Sequence, residues 1–427
     1  MKKQKGKSKP SLSTKKLRTI LKNEFIIEKR EGSFQEVRHI VLEGANHEIG
    51  KALGDIAQEW LEVELFPDHS PLYTKARKLY IKNNYPILYE RMKGVAKSFG
   101  LSPQDNSLST STLYFDRCAL GCSMIFFPAS CTSNGHPLLA HNLDFYEATI
   151  SEIAGKHAEL GECQLFSRNF VIQLHPDKGY ASIAFGSLDL LNGVCCGMNS
   201  EGLVVARHVD QEGPRDRNAF IRGYGYGGLM LFQLMRLLLD TCATVEEAKI
   251  AILNNKVTPG FLPCHLFIAD RHSRSFVFEN AAEDFSTHFT DNNGRPEVMT
   301  NHAVFKHPDP EKFPETDLKK PANTFYRYKV LADFVKARQG KFAPEDAQEA
   351  ISKVFIHTKG SAGHDGETPT HPHYPTRTMF TELYDLADRS VEVKFFQKDG
   401  PDDPGTGLPS LIFSEPIKFK LKTTKNN

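Results

Sequence analysis

The chain has 427 residues, with 53 Lys and Arg against 52 Asp and Glu, a formal net charge of +1. That balance excludes a generally basic nucleic-acid binder, and 40% hydrophobic with 25% charged residues excludes a wholly disordered or fibrous chain. The length suits one large domain or two ordinary ones around a sizeable core.

Residues 1–31 open with "MKKQKGKSKPSLSTKK" and are expected to form a basic, disordered, solvated tail. The apolar "FII" at Phe25–Ile27 is too short for a secretory h-region. The run "LMLFQLMRLLL", Leu229 to Leu239, is too short to span a bilayer and contains Arg236. The expectation is a cytoplasmic protein without stable membrane insertion. Its eight cysteines form no CxxC pair, which suggests neither a disulfide framework nor a thiolate zinc site.

From Gly32 to about Leu101, "HEIGKALGDIAQEWLEVEL" and "YTKARKLYIKNNYPILYERMKGVAKSFG" carry apolar residues at helical spacing, with Gly100 as a stop. From Tyr114 the texture changes to short strand-like runs, among them "CSMIFF", "PLLAHNLDF", "NFVIQLHP", "YASIAFGS", "GVCCGMNS" and "GLVVARHV". Two helices follow, the second opening on the capping-box pair Thr244 and Glu247. Then come strands in "CHLFIADRHSRSFVFEN" and "PEVMTNHAVF", helices in "NTFYRYKVLADFVKAR" and "PEDAQEAISKVF", and a hairpin in "TRTMFTELYDLADRSVEVKFF". The order predicts an α+β fold of two stacked, mostly antiparallel sheets with helices packed against them.

The stretch "GCSMIFFPASCTSNGHPLLAHNLDFY", Gly121 to Tyr146, reads as a β-hairpin holding Cys122 and Cys131. In an antiparallel pair the midpoint of paired residue numbers is constant. Pairing Cys122 with Asp144 centres the turn at Ser133, inside the polar "SCTSNG". Pairing Cys131 with Asp144 centres it in the apolar Pro137–Leu138. The first pairing is therefore expected, with Cys122, Met124, Asn142 and Asp144 on one face and Cys131 in the bend. Cys122 then has two readings, a small buried hydrophobe or a nucleophile.

A nucleophilic thiol needs a base, and no histidine is obviously placed to serve. Peptide cleavage just before Cys122 would free its own α-amino group, whose pKa of about 7.7–8.0 suits that role. Gly121 would ease the strained geometry of such a cut.

These residues resemble the N-terminal nucleophile hydrolases, most nearly the isopenicillin N acyltransferase-like amidases and more distantly the choloylglycine hydrolases and acid ceramidase. The likeness rests on "GANHEIGKALG" (Gly44–Gly54), on "GCS" with "HNLDFY", on "GMNSEGLVVA" (Gly197–Ala206), on "HLFIADRHSRSFVFEN", and on "VMTNHAVF" (Val298–Phe305), in that order along most of the chain. It implies a four-layer αββα fold with a helical pro-segment at 32–121 and a catalytic region at 122–427. It further implies a cut between Gly121 and Cys122 and an enzyme that hydrolyses a linear amide, or transfers its acyl group, through a Cys122 thioester. By position, Cys122 would be the nucleophile, Asp144 would orient the freed amine, and Asn301 would donate to the oxyanion. A backbone amide near His208 and Val209 would be the second donor. Asn142, Tyr146 and His302 would support the site. An arginine near the nucleophile is also implied, with Arg327 preferred over Arg377. The choloylglycine hydrolases carry an arginine three residues before the aspartate where this chain has His141, which weakens a bile-salt reading. No cofactor is implied, and the partner is a small N-acyl amide, with a homo-oligomer compatible.

The glycine-rich "RGYGYGGL" at Arg222–Leu229 lacks phosphate-loop spacing and reads as a loop. The segment containing His357, His364, Asp365, His371 and His373 offers metal-type ligands without fixed geometry. Two other functions remain as alternatives. One is a metal-dependent hydrolase using those histidines, and the other is a non-catalytic binding protein of the same fold.

Overall fold

A computed structural model of the chain describes residues 19–67, 70–114, 122–153, 157, 162–187, 189–212, 228–258, 264–280, 286–314, 323–358 and 375–422. The N-terminal part contributes strands β1 (Ile20–Ile27) and β2 (Glu36–Gly44), then helices α1 (Asn46–Leu61), α2 (Pro71–Asn84) and α3 (Pro86–Ser98). Two expectations are corrected here: Ile20–Ile27 is not tail, and Glu36–Gly44 is not helix. In β2 the side chains alternate strictly, with Ile40 and Leu42 buried in one apolar layer and Val37 in another. Alternation of facing is a strand's signature, but His39 and Ile40 are both buried, so the sequence shows no clean period-2 pattern before the helical run that follows.

The remaining strands are β3 (Cys122–Phe127), β4 (Leu138–Tyr146), β5 (Arg168–Pro176), β6 (Ser182–Gly186), β7 (Cys196–Asn199), β8 (Val204–Val209), β9 (Leu229–Met230), β10 (Val257–Thr258), β11 (Cys264–Ala269), β12 (Ser275–Asn280), β13 (Thr287–Asp291), β14 (Glu297–Met299), β15 (Thr376–Asp385), β16 (Ser390–Asp402), β17 (Pro409–Phe413) and β18 (Ile417–Lys420). Between them lie the single turn α4 (Ile150–Ile153) and helices α5 (Leu231–Thr241), α6 (Val245–Leu253), α7 (Thr324–Ala337) and α8 (Pro344–Ser352). One sheet runs β1-β2-β5-β6-β7-β8-β11-β12-β13, and the other β14-β3-β4-β15-β16-β17 with β18 on β16. Pairing is antiparallel in both except β2 with β5.

Three apolar layers follow from this stacking. Met124, Phe126, Leu139, Leu143 and Phe145 of the second sheet meet Val171, Phe185, Val204, Ala206 and Phe267 of the first. The outer face of the first sheet packs on α1, α3, α5 and α6. The outer face of the second packs Ile125, Phe127 and Ala140 against Leu331 of α7 and Ala347 and Ile351 of α8. The result is a four-layer αββα sandwich. Among the described residues, no helix is long and apolar enough to cross a membrane.

The N-terminal helices are bolted to the rest. Arg91 of α3 donates to both oxygens of Asp240 on α5 at 2.6 and 3.1 Å, both side chains fully buried. The Asn46 carboxamide oxygen accepts from Arg91 Nε at 2.9 Å. Helix α1 crosses α3 so closely that a Cβ on Gly94 would lie 2.0 Å from the His47 carbonyl oxygen, which is why no larger residue fits there.

Candidate active site

The hairpin register differs from the expected one by a single residue. Cys122 pairs with Leu143, Ser123 with Asn142 and Met124 with His141, so the turn centre lies between Thr132 and Ser133. A one-residue slip moves a whole side-chain set to the other face. Cys122 and His141 therefore share the inter-sheet face, while Asn142 and Asp144 face the α7–α8 layer. Both faces of this sheet are buried, so polarity alternation along the strands could not fix the register. The turn-centre estimate had only a one-residue tolerance. Cys131 ends a short 3₁₀ turn, Ala129–Cys131, in the bend.

The site is thus divided by its own sheet, and the two halves meet at the Cys122 backbone. On the inter-sheet side the Cys122 side chain is buried, with Sγ 3.5 Å from the carbonyl oxygen of Arg207 on β8. On the helix side Arg327, in the first turn of α7, donates from Nη1 to the Cys122 carbonyl and to Ser123 Oγ, both at 2.7 Å. Its Nη2 donates to Asn301 Oδ1 at 2.8 Å. Asn323 caps α7 by accepting from the Tyr326 N–H, which fixes where the helix starts and so where Arg327 points.

Asn301 lies just past β14, which ends at Met299. Its Oδ1 also accepts from the Cys122 N–H at 3.0 Å, and its Nδ2 donates to the Val209 carbonyl at 2.8 Å. Donors on one side and an acceptor on the other fix the carboxamide orientation. Asp144 accepts from Thr378 Oγ1 at 2.5 Å through Oδ1, and its Oδ2 lies 4.0 Å from Arg327 Nη1. Thr378 sits beside a register shift in β15, a bulge next to the site.

The other named residues are placed less centrally. Asn142 donates to the Ile351 carbonyl at 3.0 Å and so ties the strand to α8. Tyr146 ends β4, half-buried beside Phe145. His302 bonds Thr324 Oγ1 at 3.0 Å and stacks on Phe325; that hydroxyl also accepts from the Asn301 N–H at 2.8 Å, so His302 reaches Cys122 only through Thr324 and Asn301. Arg377 is held by Asp399 at 2.7 and 2.6 Å, so the structure brings Arg327 to Cys122 and not Arg377. His357 bonds the Pro409 carbonyl at 2.6 Å. Gly121, the loop residues 222–227, and His364, Asp365, His371 and His373 lie outside the described residues.

Sequence reasoning missed His141 and His208. Both are buried, with ring centroids 5.3 Å apart. His141 Nδ1 pairs with Glu382 Oε2 at 2.8 Å, and His208 Nδ1 with the Thr300 carbonyl at 3.0 Å. The correct register was the missing signal, since only it puts His141 on the thiol's face.

Burial pushes the Cys122 thiol up, opposed by the Arg207 guanidinium and reinforced by the Asp144 carboxylate. Burial likewise raises Asp144 to about 6, against the pull of Arg327 and Thr378. A carboxyl raised above its usual 3.8 contributes stability that is complete below that pH and lost as pH rises through about 6. Asp144→Asn is therefore expected to flatten the stability curve between pH 4 and 6, relative to wild type, by roughly 2–3 kcal/mol. Urea midpoints across that range measure it, and parallel curves for the two proteins would contradict it.

Family comparison adds to this geometry. The chain belongs to the acyl-coenzyme A:6-aminopenicillanic acid acyl-transferase family, whose model matches residues 131–399. It is a member of the N-terminal nucleophile hydrolases. The matched span includes Asp144, Asn301 and Arg327 and begins after Cys122. Among solved structures, a mutant conjugated bile acid hydrolase from Clostridium perfringens is similar at 16% identity and a TM-score of 0.43, covering 71% of this chain and 98% of that one. Penicillin V acylase from Agrobacterium tumefaciens is similar at 16% identity and 0.39, over 64% and 82%. A Caenorhabditis elegans ortholog of N-acylethanolamine-hydrolyzing acid amidase is similar at 15% and 0.40, over 62% and 92%. No curated protein sequence matches the chain.

Proposed function

We propose that this protein is a self-processing amidase or acyl-transferase that acts on a linear amide through Cys122. The observation that carries the reading is the hydrogen bond from the Cys122 N–H to Asn301 Oδ1, 3.0 Å, at the first residue of a strand whose carbonyl Arg327 also holds. A nitrogen gripped this way is positioned to become the catalytic amine. Attack of Sγ on the carbonyl carbon of residue 121 forms a thioester and breaks the C–N bond, and the thiol proton goes to the departing Cys122 nitrogen. Water then hydrolyses the thioester. Residues 1–121 become one fragment and 122–427 the other.

The freed amine, with an ordinary pKa of about 7.7–8.0, serves as the base for the buried thiol. In turnover it takes the Sγ proton as sulfur attacks the substrate carbonyl, and returns it to the leaving amine. Asp144 acts at one remove by holding Arg327, and Asn301 keeps both nitrogen and oxyanion in register through its carboxamide. The Arg207 carbonyl lies 3.5 Å from Sγ, and a backbone amide of the His208–Val209 stretch that follows it is the candidate second donor. The acyl transfer to an amine in the family's description supports an N-acyl amide as substrate and an acyl-enzyme that yields to water or a second amine.

A panel of N-acyl amides, followed by amine release, tests the reading. Wild-type protein is expected to release amine from at least one class and Cys122→Ala from none. Equal release by both proteins would place the chemistry elsewhere.

A further inference from the structure

The two histidines beside the thiol have no part in that mechanism, and their hydrogen bonding is unusual. A carboxylate oxygen and a carbonyl oxygen accept and cannot donate, so each Nδ1 carries its ring's proton. In the neutral ring each Nε2 is then a lone pair. Among the described residues, neither buried Nε2 atom has a hydrogen-bond partner. One ring nitrogen of His141, one of His208 and Cys122 Sγ all lie within 4.8 Å of one another. Two buried, unsatisfied imidazole nitrogens in a cluster with one thiol make a costly arrangement for a closed core.

We propose that Cys122, His141 and His208 bind a single borderline-soft divalent ion of the zinc class, and that the ion and the substrate compete for the Cys122 sulfur. The inference uses the same cysteine as the function proposed above but does not require amide cleavage. One thiolate and two neutral imidazoles are a recurrent zinc ligand set that leaves a fourth position open. Metal–ligand bonds of about 2.0–2.3 Å place tetrahedral ligands roughly 3.5 Å apart, so closing the cluster by on the order of 1 Å suffices. The outer shell is present as well, because metal-bound imidazoles donate their other N–H to a carboxylate or carbonyl, as both do here. Binding displaces the thiol proton to solvent, so affinity rises with pH.

A neighbouring group of His141, Cys196 and Glu382 also lies within 4.8 Å. Its carboxylate is already spent, since Oε1 accepts from Tyr384 Oη at 3.1 Å and Oε2 pairs with His141 at 2.8 Å. Glu382 thus serves the first group as an orienting partner.

Full-length protein stripped with chelator and dialysed against Zn²⁺ should retain one equivalent by elemental analysis. With Co²⁺ as the probe it should show a thiolate-to-cobalt band in the near ultraviolet. His208→Ala is expected to weaken binding at least 100-fold, with His208→Gln as the companion variant if alanine lowers the melting temperature. Cys196→Ser should bind as wild type does. No stoichiometric metal in wild type, undiminished binding in both His208 variants, or binding that survives Cys122→Ala but not Cys196→Ser would each overturn the proposal. The readout is bound metal, so a chain that cleaves no amide is tested equally well.

Discussion

Cys122→Ala should remain a single chain by intact mass, whereas wild-type protein should resolve into two fragments divided between Gly121 and Cys122. The expectation is all-or-none because the same sulfur would attack its own upstream peptide bond and then the substrate. Cys122→Ser is the graded companion: a hydroxyl can make the corresponding ester but is the weaker nucleophile, so processing should slow. A wild-type chain that stays intact yet releases amine would sink the amine mechanism. It would pass the base's role to His141, whose Nε2 has no hydrogen-bond partner among the described residues and whose ring Glu382 orients. An intact and inactive wild type would favour a binding protein of the same fold.

Replacing Arg327 by methionine should be severe in two separable ways. The side chain is fully buried and donates hydrogen bonds to the Cys122 carbonyl, Ser123 Oγ and Asn301 Oδ1. Removing one partner of a buried charged cluster costs about 3–5 kcal/mol, which denaturant unfolding would register. Part of that loss comes from leaving Asp144 ionised without a cation, so it should be smaller at pH 5 than at pH 7.5, because Asp144 is half-protonated near 6. Arg327→Lys separates charge from geometry. An ammonium cannot span three acceptors as a planar fork does, so lysine should recover stability better than it recovers processing. If Arg327→Met processes at the wild-type rate, the clamp on Cys122 is scaffolding alone.

The class of fold was legible in the sequence because long helices and short strands carry different periods, and their order determines how they can stack. Positions near the N-terminus were harder to read. Glu36–Gly44 passes into α1 almost without a break, and a strand that pairs in parallel with β5 has its partner more than a hundred residues away. The candidate residues could be named from motif order, and Cys122, Asp144, Asn301 and Arg327 do lie together. Which face each occupies could not be read, because a sheet buried on both sides lacks the polar stripe that fixes register. That one-residue ambiguity hid His141, and with it the metal-type cluster. Arg207 and Thr378 were invisible for a simpler reason: each acts through a neighbour on another strand.

The N-terminal segment supplies β1 and β2 to the larger sheet and Arg91 to a fully buried ion pair with Asp240. A cut before Cys122 would therefore not release it, and the fragments should co-purify under native conditions. Unfolding would have a different consequence before and after such a cut. The uncut chain refolds in one molecule, whereas two fragments must find each other again, with a yield that depends on concentration. Processing would then convert a reversible fold into one held by kinetics, assembled once and not readily rebuilt.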